Sequence, residues 1–308
     1  MKSAVVMICA VCVAPAYAQG GRGTPPSPPA VETVAPAIPG VVKAGTKVVV
    51  VKDGFQSTEG PVALPDGSVL FTEPGASIVH KIDKNDTIST FLEKTNRANG
   101  LALDSKGRLI AVQALTVDVI SPKGSEATLA GPLSARPNDL VVDKKDGVYF
   151  TLPGATPPGV FYIPAGGKPI FLGEVASPHG IQLSPDEKTL YVADINNQYL
   201  VAYDVQADGK VTNRRNFGKY EGVKPTANGF DSEADGLAVD SEGRIYVGTT
   251  PGVQVFTPKG QNLGVIPTSQ RSQNLAFGGP DKKTLYLTGR TALFKVQMLA
   301  QGYRGRPK

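Results

Sequence analysis

Six polar residues open six similar segments of the sequence, and their types suit metal coordination or acid–base chemistry. They are Glu59, Asn99, Asn138, His179, Asp235 and Asn274. Two carboxylates, one imidazole and three amides that meet on one axis would form a divalent-cation site. The ligands we expect are Glu59, Asn138, His179 and Asp235. The alternative is that these side chains only cap turns or satisfy one another at one channel mouth.

Each of these residues begins the same local pattern. A short apolar strand follows it, then a turn rich in Pro, Asp, Lys and Gly, then a second apolar strand, as in EGPVALPDGSVLFTE over 59–73. Strand, tight turn and strand indicate a β-hairpin. The six starts are separated by 40, 39, 41, 56 and 39 residues. A period near 40 with strands alone is typical of a β-propeller.

The sequence therefore predicts an all-β fold, a six-bladed β-propeller with four antiparallel strands in each blade. A β-sandwich with coincidental turn spacing is the alternative. In a propeller the first strand of each blade lines the central channel, so the six residues would share one place on the ring. The one long spacing contains residues 206–232, which we interpret as an inserted loop.

Ring closure can also be argued from the strand pattern. The last repeat supplies only three strands, whereas KVVVVK (47–52) precedes the first repeat and has no hairpin partner. A closed ring leaves no open strand edge. We therefore expect strand 47–52 to pair into the last blade as its outermost member.

The propeller is predicted to span residues 46–300, with a different kind of segment at each end. Residues 1–18 have a charged start, a short apolar stretch and a small-residue cleavage site, which is typical of a secretory signal peptide. We expect cleavage after Ala18 and export to the periplasm or the medium. Residues 19–45, rich in Pro and Gly, are interpreted as a disordered tether that buries no core. Residues 301–308 are interpreted as a basic tail.

Composition excludes several classes of function. The net charge of +5 is mild and no basic run is present, so nothing favours nucleic-acid binding. The apolar stretch of the leader is too short to span a bilayer, and no membrane association is expected after its cleavage. Both cysteines, Cys9 and Cys12, lie in that leader. Disulfides and cysteine-based catalysis are therefore excluded from the mature chain.

Five motifs resemble those of a known family, the senescence-marker, gluconolactonase and luciferin-regenerating-enzyme group of six-bladed propellers. They are EGP (59–61), RPNDL (136–140), SPDEKTLYVAD (184–194), DGLAVDSEGRIYV (235–247) and NLAFGG (274–279). The match runs from about Val48 to Val296. The resemblance implies a lactone hydrolase that uses one bound divalent cation, usually calcium, and a small-molecule lactone as substrate.

The resemblance also implies roles for individual residues. The family's metal ligands correspond to Glu59, Asn138, His179 and Asp235. Asp235 is the expected general base, with Glu59 as the alternative. Arg136 is the expected substrate contact, and Asn99 and Asn138 would help it to orient a hydroxyl-rich lactone.

The sequence departs from the family pattern at two informative positions. His179 replaces an asparagine, and an imidazole nitrogen suits zinc, manganese or iron better than calcium. Alternatively, His179 contacts substrate while three oxygen ligands hold the metal. Leu152 replaces an acidic residue in FTLP (150–153), which would open or retune the site.

Other functions remain compatible with this pattern. They are hydrolysis of another ester or an organophosphate, metal-free condensation by a strictosidine-synthase-like propeller, and ligand binding by a noncatalytic exported propeller.

Overall fold

The computed structural model describes residues 27–305. The predicted signal peptide 1–18, with Cys9 and Cys12, lies outside the described residues, as do residues 19–26 and 306–308. All regular secondary structure in the described chain is β, and none of it is a helix that could cross a membrane.

Two strands precede the six repeats, β1 (Thr33–Val34) and β2 (Lys47–Lys52). The six repeats then form six antiparallel sheets, the blades of a propeller. The strands of blades one to three, in chain order, are β3 (Glu59–Ala63), β4 (Val69–Glu73), β5 (Ile78–Ile82), β6 (Ile88–Glu93), β7 (Leu101–Leu103), β8 (Leu109–Val112), β9 (Val117–Ser121), β10 (Ala127–Ala130), β11 (Leu140–Val142), β12 (Val148–Leu152), β13 (Gly159–Ile163) and β14 (Ile170–Glu174).

The second half of the chain continues the pattern. Its strands are β15 (Pro178–Leu183), β16 (Thr189–Asp194), β17 (Tyr199–Val205), β18 (Val211–Lys219), β19 (Pro225–Thr226), β20 (Gly229–Phe230), β21 (Leu237–Val239), β22 (Ile245–Thr249), β23 (Gly252–Phe256), β24 (Asn262–Ile266), β25 (Asn274–Gly278), β26 (Thr284–Thr288) and β27 (Leu293–Gln297). The predicted all-β, six-bladed propeller with four antiparallel strands per blade is confirmed.

The predicted closure of the ring is also confirmed. Strand β2 pairs antiparallel with β27, with Val48 opposite Val296, and so becomes the fourth strand of blade six. Strand β1 then pairs with β2 and adds a fifth, outermost strand. The segment that precedes the first repeat is thereby held in one sheet with the last repeat.

The described part of the predicted tether is ordered, and that prediction is wrong for residues 27–45. Ile38, Val41 and Val42 are at most 1% exposed and pack in one cluster with side chains of blades five and six. The backbone is held as well, because Leu299 N donates to Val41 O at 2.8 Å. Proline-rich composition suggested a disordered spacer. The few aliphatic residues between the prolines instead cover apolar surface at the rim of the ring.

The long spacing between the fourth and fifth repeats is only partly an insertion. Strand β18 occupies residues 211–219 and completes blade four as its outermost strand. The prediction that the whole of 206–232 is a loop was therefore wrong for these nine residues. The extra chain is residues 220–234, a segment that contains the small hairpin of β19 and β20.

Packing is strongest near the axis and between neighbouring blades. The cluster between blades one and two, for example, joins Val62 and Leu70 to Leu101 and Leu109, all almost fully buried. The innermost strands contact one another around the ring. Residues 301–305 of the predicted tail return to this framework, where Gly302 bridges Asp240 and its N–H donates to Lys282 O.

Candidate active site

The six residues that open the repeats are called the ring residues below. Five of them line one cavity at the axis of the propeller. The cavity has a volume of about 430 Å³, and its lining includes Glu59, Asn99, Asn138, His179 and Asp235. Arg136, the residue implied as a substrate contact, lines the same cavity. The sixth ring residue, Asn274, is 1% exposed and lies beneath this surface, where Nδ2 donates to Glu59 Oε2 at 3.5 Å.

The close approach of the blades explains why small residues follow most members of the ring. A Cβ added at Gly180 would lie 2.2 Å from Asp235 O, and one added at Gly60 would lie 1.9 Å from Asn99 O. Any larger residue would push neighbouring blades apart. Glycine after the ring residue therefore allows the next blade's ring residue to reach the cavity.

Hydroxyl groups on the second strands hold the ring residues by their backbones. Thr72 Oγ1 donates to Asn99 O at 2.9 Å, and Thr151 Oγ1 donates to His179 O at 2.6 Å. Each of these bonds runs from one blade to the ring residue of the next blade. The positions of Asn99 and His179 are thus set by the fold and not by the side chains alone.

The carboxyl group of Glu59 is almost fully buried at the floor of the cavity. Its Oε1 accepts a hydrogen bond from Gln273 Nε2 at 3.1 Å, and Oε2 accepts one from Gly60 N at 3.1 Å. Burial, with repulsion from Asp235 and Asp139, raises the pKa of Glu59 to about 8. In this environment Glu59 therefore holds a proton at neutral pH unless a cation replaces it.

Asp235 is 3% exposed and carries a direct ion pair. Arg271 Nη2 donates to Asp235 Oδ2 at 2.8 Å, and Arg271 Nε lies 3.2 Å from Glu233 Oε2. Arg271 therefore lies between two carboxylates at the cavity wall. This charge-assisted hydrogen bond fixes the orientation of the Asp235 carboxyl group at the cavity wall.

His179 is held in one tautomer by the backbone. Its Nδ1 lies 3.1 Å from Ser177 O, and a carbonyl oxygen can only accept, so Nδ1 carries the proton. The lone pair then belongs to Nε2. Burial lowers the pKa of His179, and the positive charge of Arg271 adds to that effect. The imidazole is therefore neutral at pH 7, which is the form that can bind a metal.

Arg136, Asn99 and Asn138 line the same cavity. Arg136 Nη2 donates to Arg97 O at 3.2 Å, whereas Arg136 Nε is buried and has no hydrogen-bond partner within residues 27–305. Burial, with repulsion from Arg97, lowers the pKa of Arg136. Asn99 Nδ2 donates to Asn138 O at 2.8 Å, so that amide supports the neighbouring ring residue.

The structure can be compared with the predictions for the four metal ligands and for Leu152. Among the described residues, no three acidic, imidazole or thiol side chains form a group that could hold a metal ion. The four predicted ligands share the cavity, and their coordination of a cation stays a prediction. Leu152, expected to open the site, is 2% exposed and packs in the core between blades two and three.

Sequence reasoning missed Arg271 and Gln273. Both stand in the loop before β25, shortly before the ring residue Asn274, and both contact a carboxylate of the cavity. Arg136 stands in the equivalent loop before Asn138. Polar residues two or three positions before a ring residue are therefore the signal that could have found Arg271.

Without a bound cation, the stability of the protein should fall as pH rises from about 4.5 to about 8. Glu59 of the unfolded chain ionises near 4.5, whereas the folded protein keeps the proton up to about 8. Folding therefore takes up a proton in this window, at up to about 1.4 kcal/mol per pH unit. We expect urea unfolding in the presence of a chelator to show this decrease in the free energy of unfolding. The Glu59→Gln variant should lack the part of the decrease that Glu59 causes. Parallel pH profiles for the two proteins would contradict it.

Comparison with known proteins places this geometry in a family. Residues 57–291 match the SMP-30/Gluconolactonase/LRE-like region. The fold and the cavity define a six-bladed propeller of the lactonase type, and the chain belongs to the SMP-30/gluconolactonase/LRE-like family. The resemblance seen in the motifs is confirmed.

Individual relatives show how far the similarity extends. A gluconolactonase of Zymomonas mobilis is 27% identical over 304 residues, which is 85% of this chain and 84% of the relative. The structure of a gluconolactonase from Xanthomonas campestris matches with a TM-score of 0.75 at 24% identity, covering 89% of this chain and 98% of that one. Regucalcin from Agrobacterium tumefaciens, described as calcium-binding, matches with a TM-score of 0.69 at 18% identity, covering 84% and 98%.

Proposed function

We propose that the protein hydrolyses sugar-type lactones in the central cavity, as gluconolactonases do, and that it uses one divalent cation. The observation that carries the proposal is the pair of buried carboxylates, Glu59 and Asp235, that face one polar cavity together with Arg136 and His179. The gluconolactonase of Zymomonas mobilis, which is related over most of the chain, supports the choice of substrate.

The donor types that line the cavity fit a cation, although no three acidic, imidazole or thiol side chains of residues 27–305 are already grouped as its ligands. Two buried carboxylates repel each other, and this repulsion, added to burial, is what raises the pKa of Glu59. A cation between Glu59 and Asp235 would relieve both effects, with Asn138 as a further oxygen donor and His179 as a fourth ligand. Oxygen donors of this kind suit calcium, and an imidazole shifts the preference toward zinc, manganese or iron.

A bound divalent cation would act as a Lewis acid on the lactone carbonyl. The chain's own residues supply the remaining chemistry. Asp235 takes a proton from the water that attacks the carbonyl carbon, and the hydrogen bond from Arg271 holds that carboxylate in place. The bond from the carbonyl carbon to the ring oxygen then breaks, and the ring oxygen receives the proton. The product is an open-chain hydroxy acid.

Orientation of the substrate is the role proposed for Arg136, Asn99 and Asn138. Arg136 has a buried Nε that lacks a protein partner within the described chain, so a substrate oxygen can accept its hydrogen bond. Asn99 and Asn138 line the same cavity. Hydroxyl groups of a sugar lactone can pair with polar groups of this kind, whereas an apolar ester would leave them unpaired.

We also propose that the protein is exported, with residues 1–18 as the signal peptide. The support is the sequence pattern of that segment. Fractionation of cells that express the full chain should give a protein that begins after Ala18, outside the cytoplasm. A cytoplasmic protein that retains residues 1–18 would contradict the proposal.

A substrate panel tests the proposed activity. Purified protein should hydrolyse aldonolactones such as glucono-1,5-lactone, lose activity in a chelator, and regain it when a divalent cation is added. Simple carboxylic esters and an organophosphate in the same panel distinguish the related hydrolases. Rates equal to the blank with every lactone would contradict the proposal.

Replacing His179 by Asn tests the metal preference. In the wild-type protein we expect zinc, manganese or iron to restore chelated activity better than calcium, because Nε2 of a neutral imidazole is a ligand. The His179→Asn variant should shift the ranking toward calcium. Titration of both chelated proteins with each cation gives the result. If calcium is best in both, His179 is a substrate contact and not a ligand.

A further inference from the structure

Arg271 places a fixed positive charge in the wall of the cavity proposed to hold a divalent cation. Its side chain is 17% exposed, and its Nη2 lies 2.8 Å from Asp235 Oδ2, while the Asp235 side chain is only 4% exposed. An ion pair this well buried is little screened by solvent. Asp235 thus has a cationic partner before any metal arrives.

Glu233 lies on the other side of the same guanidinium. Its Oε2 lies 3.2 Å from Arg271 Nε, and its side chain is 43% exposed. The backbone of Glu233 has φ 44°, a left-handed conformation that non-glycine residues rarely adopt, and its N–H donates to Ile195 O. Glu233, the next-to-last residue of segment 220–234, is therefore constrained and presents its carboxylate to Arg271.

The charged groups that line the cavity determine how strongly it attracts a cation. The lining carries two carboxylates, Glu59 and Asp235, and two guanidinium groups, Arg136 and Arg271. The two guanidinium groups offset the negative charge that the two carboxylates can carry. The electrostatic attraction of the cavity for a divalent cation is therefore already reduced by the two arginines. The cation also competes with Arg271 for Asp235.

We propose that Arg271 is a resident cation that competes with the divalent ion for Asp235, and that Glu233 offsets the charge of Arg271 when the ion binds. The Glu233–Arg271 pair thereby sets the affinity of the cation site. The inference rests on the proposed use of a cation. It makes Arg271 and Glu233 positioning residues that act through Asp235, with opposite effects on binding.

The test is isothermal titration of the chelated full-length protein with CaCl2 and with MnCl2. Arg271→Gln should bind the ion at least about tenfold more tightly than wild type, because the repulsion is removed. Glu233→Gln should bind it several-fold more weakly, on the order of threefold to tenfold. Arg271→Lys keeps the charge and should stay within about threefold of wild type.

Two controls separate the electrostatic role from a structural one. Arg304→Gln removes an exposed arginine that contacts Asp281 O in the turn at the opposite end of β25, and it should leave the affinity unchanged. In the double variant Arg271→Gln/Glu233→Gln, the weakening by Glu233→Gln should largely disappear. A purely structural role predicts weaker binding in every variant of the pair.

Parallel lactone assays distinguish failure of this inference from failure of the proposed function. If wild type hydrolyses lactones and binds no cation while Arg271→Gln binds one, the resident-cation role stands and the cation-dependent mechanism falls. If neither protein binds a cation, both fall. The inference is overturned if Arg271→Gln binds the cation more weakly than wild type or with unchanged affinity. It is also overturned if Glu233→Gln binds with unchanged affinity. This last measurement remains decisive even if Arg271→Gln fails to fold.

Discussion

Asp235→Asn is expected to lower kcat/KM for an aldonolactone by about 10²-fold or more, the usual contribution of a general base. The amide keeps the shape and one oxygen but cannot take a proton from water. It also breaks the ion pair with Arg271, whose Nη2 donates to Asp235 Oδ2. Glu59→Gln should cause a comparable loss, because it removes one of the two charges that would hold a cation.

The measurement is initial-rate hydrolysis at several pH values with saturating cation, together with circular dichroism to show that each variant is folded. Asn274→Ala is a useful comparison, because Asn274 belongs to the ring but lies below the cavity. It should reduce activity less than either carboxylate variant. Nearly full activity in both Asp235→Asn and Glu59→Gln would exclude the proposed catalytic roles.

The repeat pattern was sufficient to predict that most of the residues that open the repeats would line one cavity. A ring residue occupies the same place in every blade, so the spacing of the repeats alone brings Glu59, Asn138 and Asp235 to one cavity. The repeat pattern could not predict which ring residue lies deepest. Asn274 is covered because Gly236 packs directly against its side chain, a detail of blade-to-blade contact.

Residues outside the repeated positions were harder to find. Arg271 and Gln273 belong to a loop whose sequence, PTSQRSQ (267–273), has no strand pattern and no motif. Their contacts with Asp235 and Glu59 depend on how that loop folds over the cavity. The sequence therefore did not reveal the positive charge that Arg271 adds to the cavity wall.

The fold was predicted well wherever periodicity carried the signal and poorly where composition did. Strand 47–52 was placed correctly because the last blade lacked a fourth strand and this strand had no partner of its own. Residues 27–45 were placed wrongly because prolines suggested disorder. Composition does not show which residues of a segment will be buried. This segment is ordered because Ile38, Val41 and Val42 pack against an apolar surface formed by distant parts of the chain.

Removal of residues 27–44 should therefore destabilise the protein strongly. Burial of Ile38, Val41 and Val42, each at most 1% exposed, contributes about 1.5–3 kcal/mol per side chain. The combined loss, about 5–9 kcal/mol, is comparable with the total stability of a typical domain. The deletion also removes β1 and leaves the outer edge of β2 unpaired. We expect an insoluble protein or a large fall in Tm.

A matched pair of point variants attributes this effect to packing. Val41→Ala changes a side chain that is 0% exposed and should cost about 2 kcal/mol in urea unfolding. Val34→Ala makes the same change in the same segment at a side chain that is 56% exposed, and it should cost almost nothing. Equal stability of the two variants would mean that the segment does not support the ring. A selective loss in Val41→Ala would show that the propeller closes through two layers, strand β2 and the apolar residues that precede it.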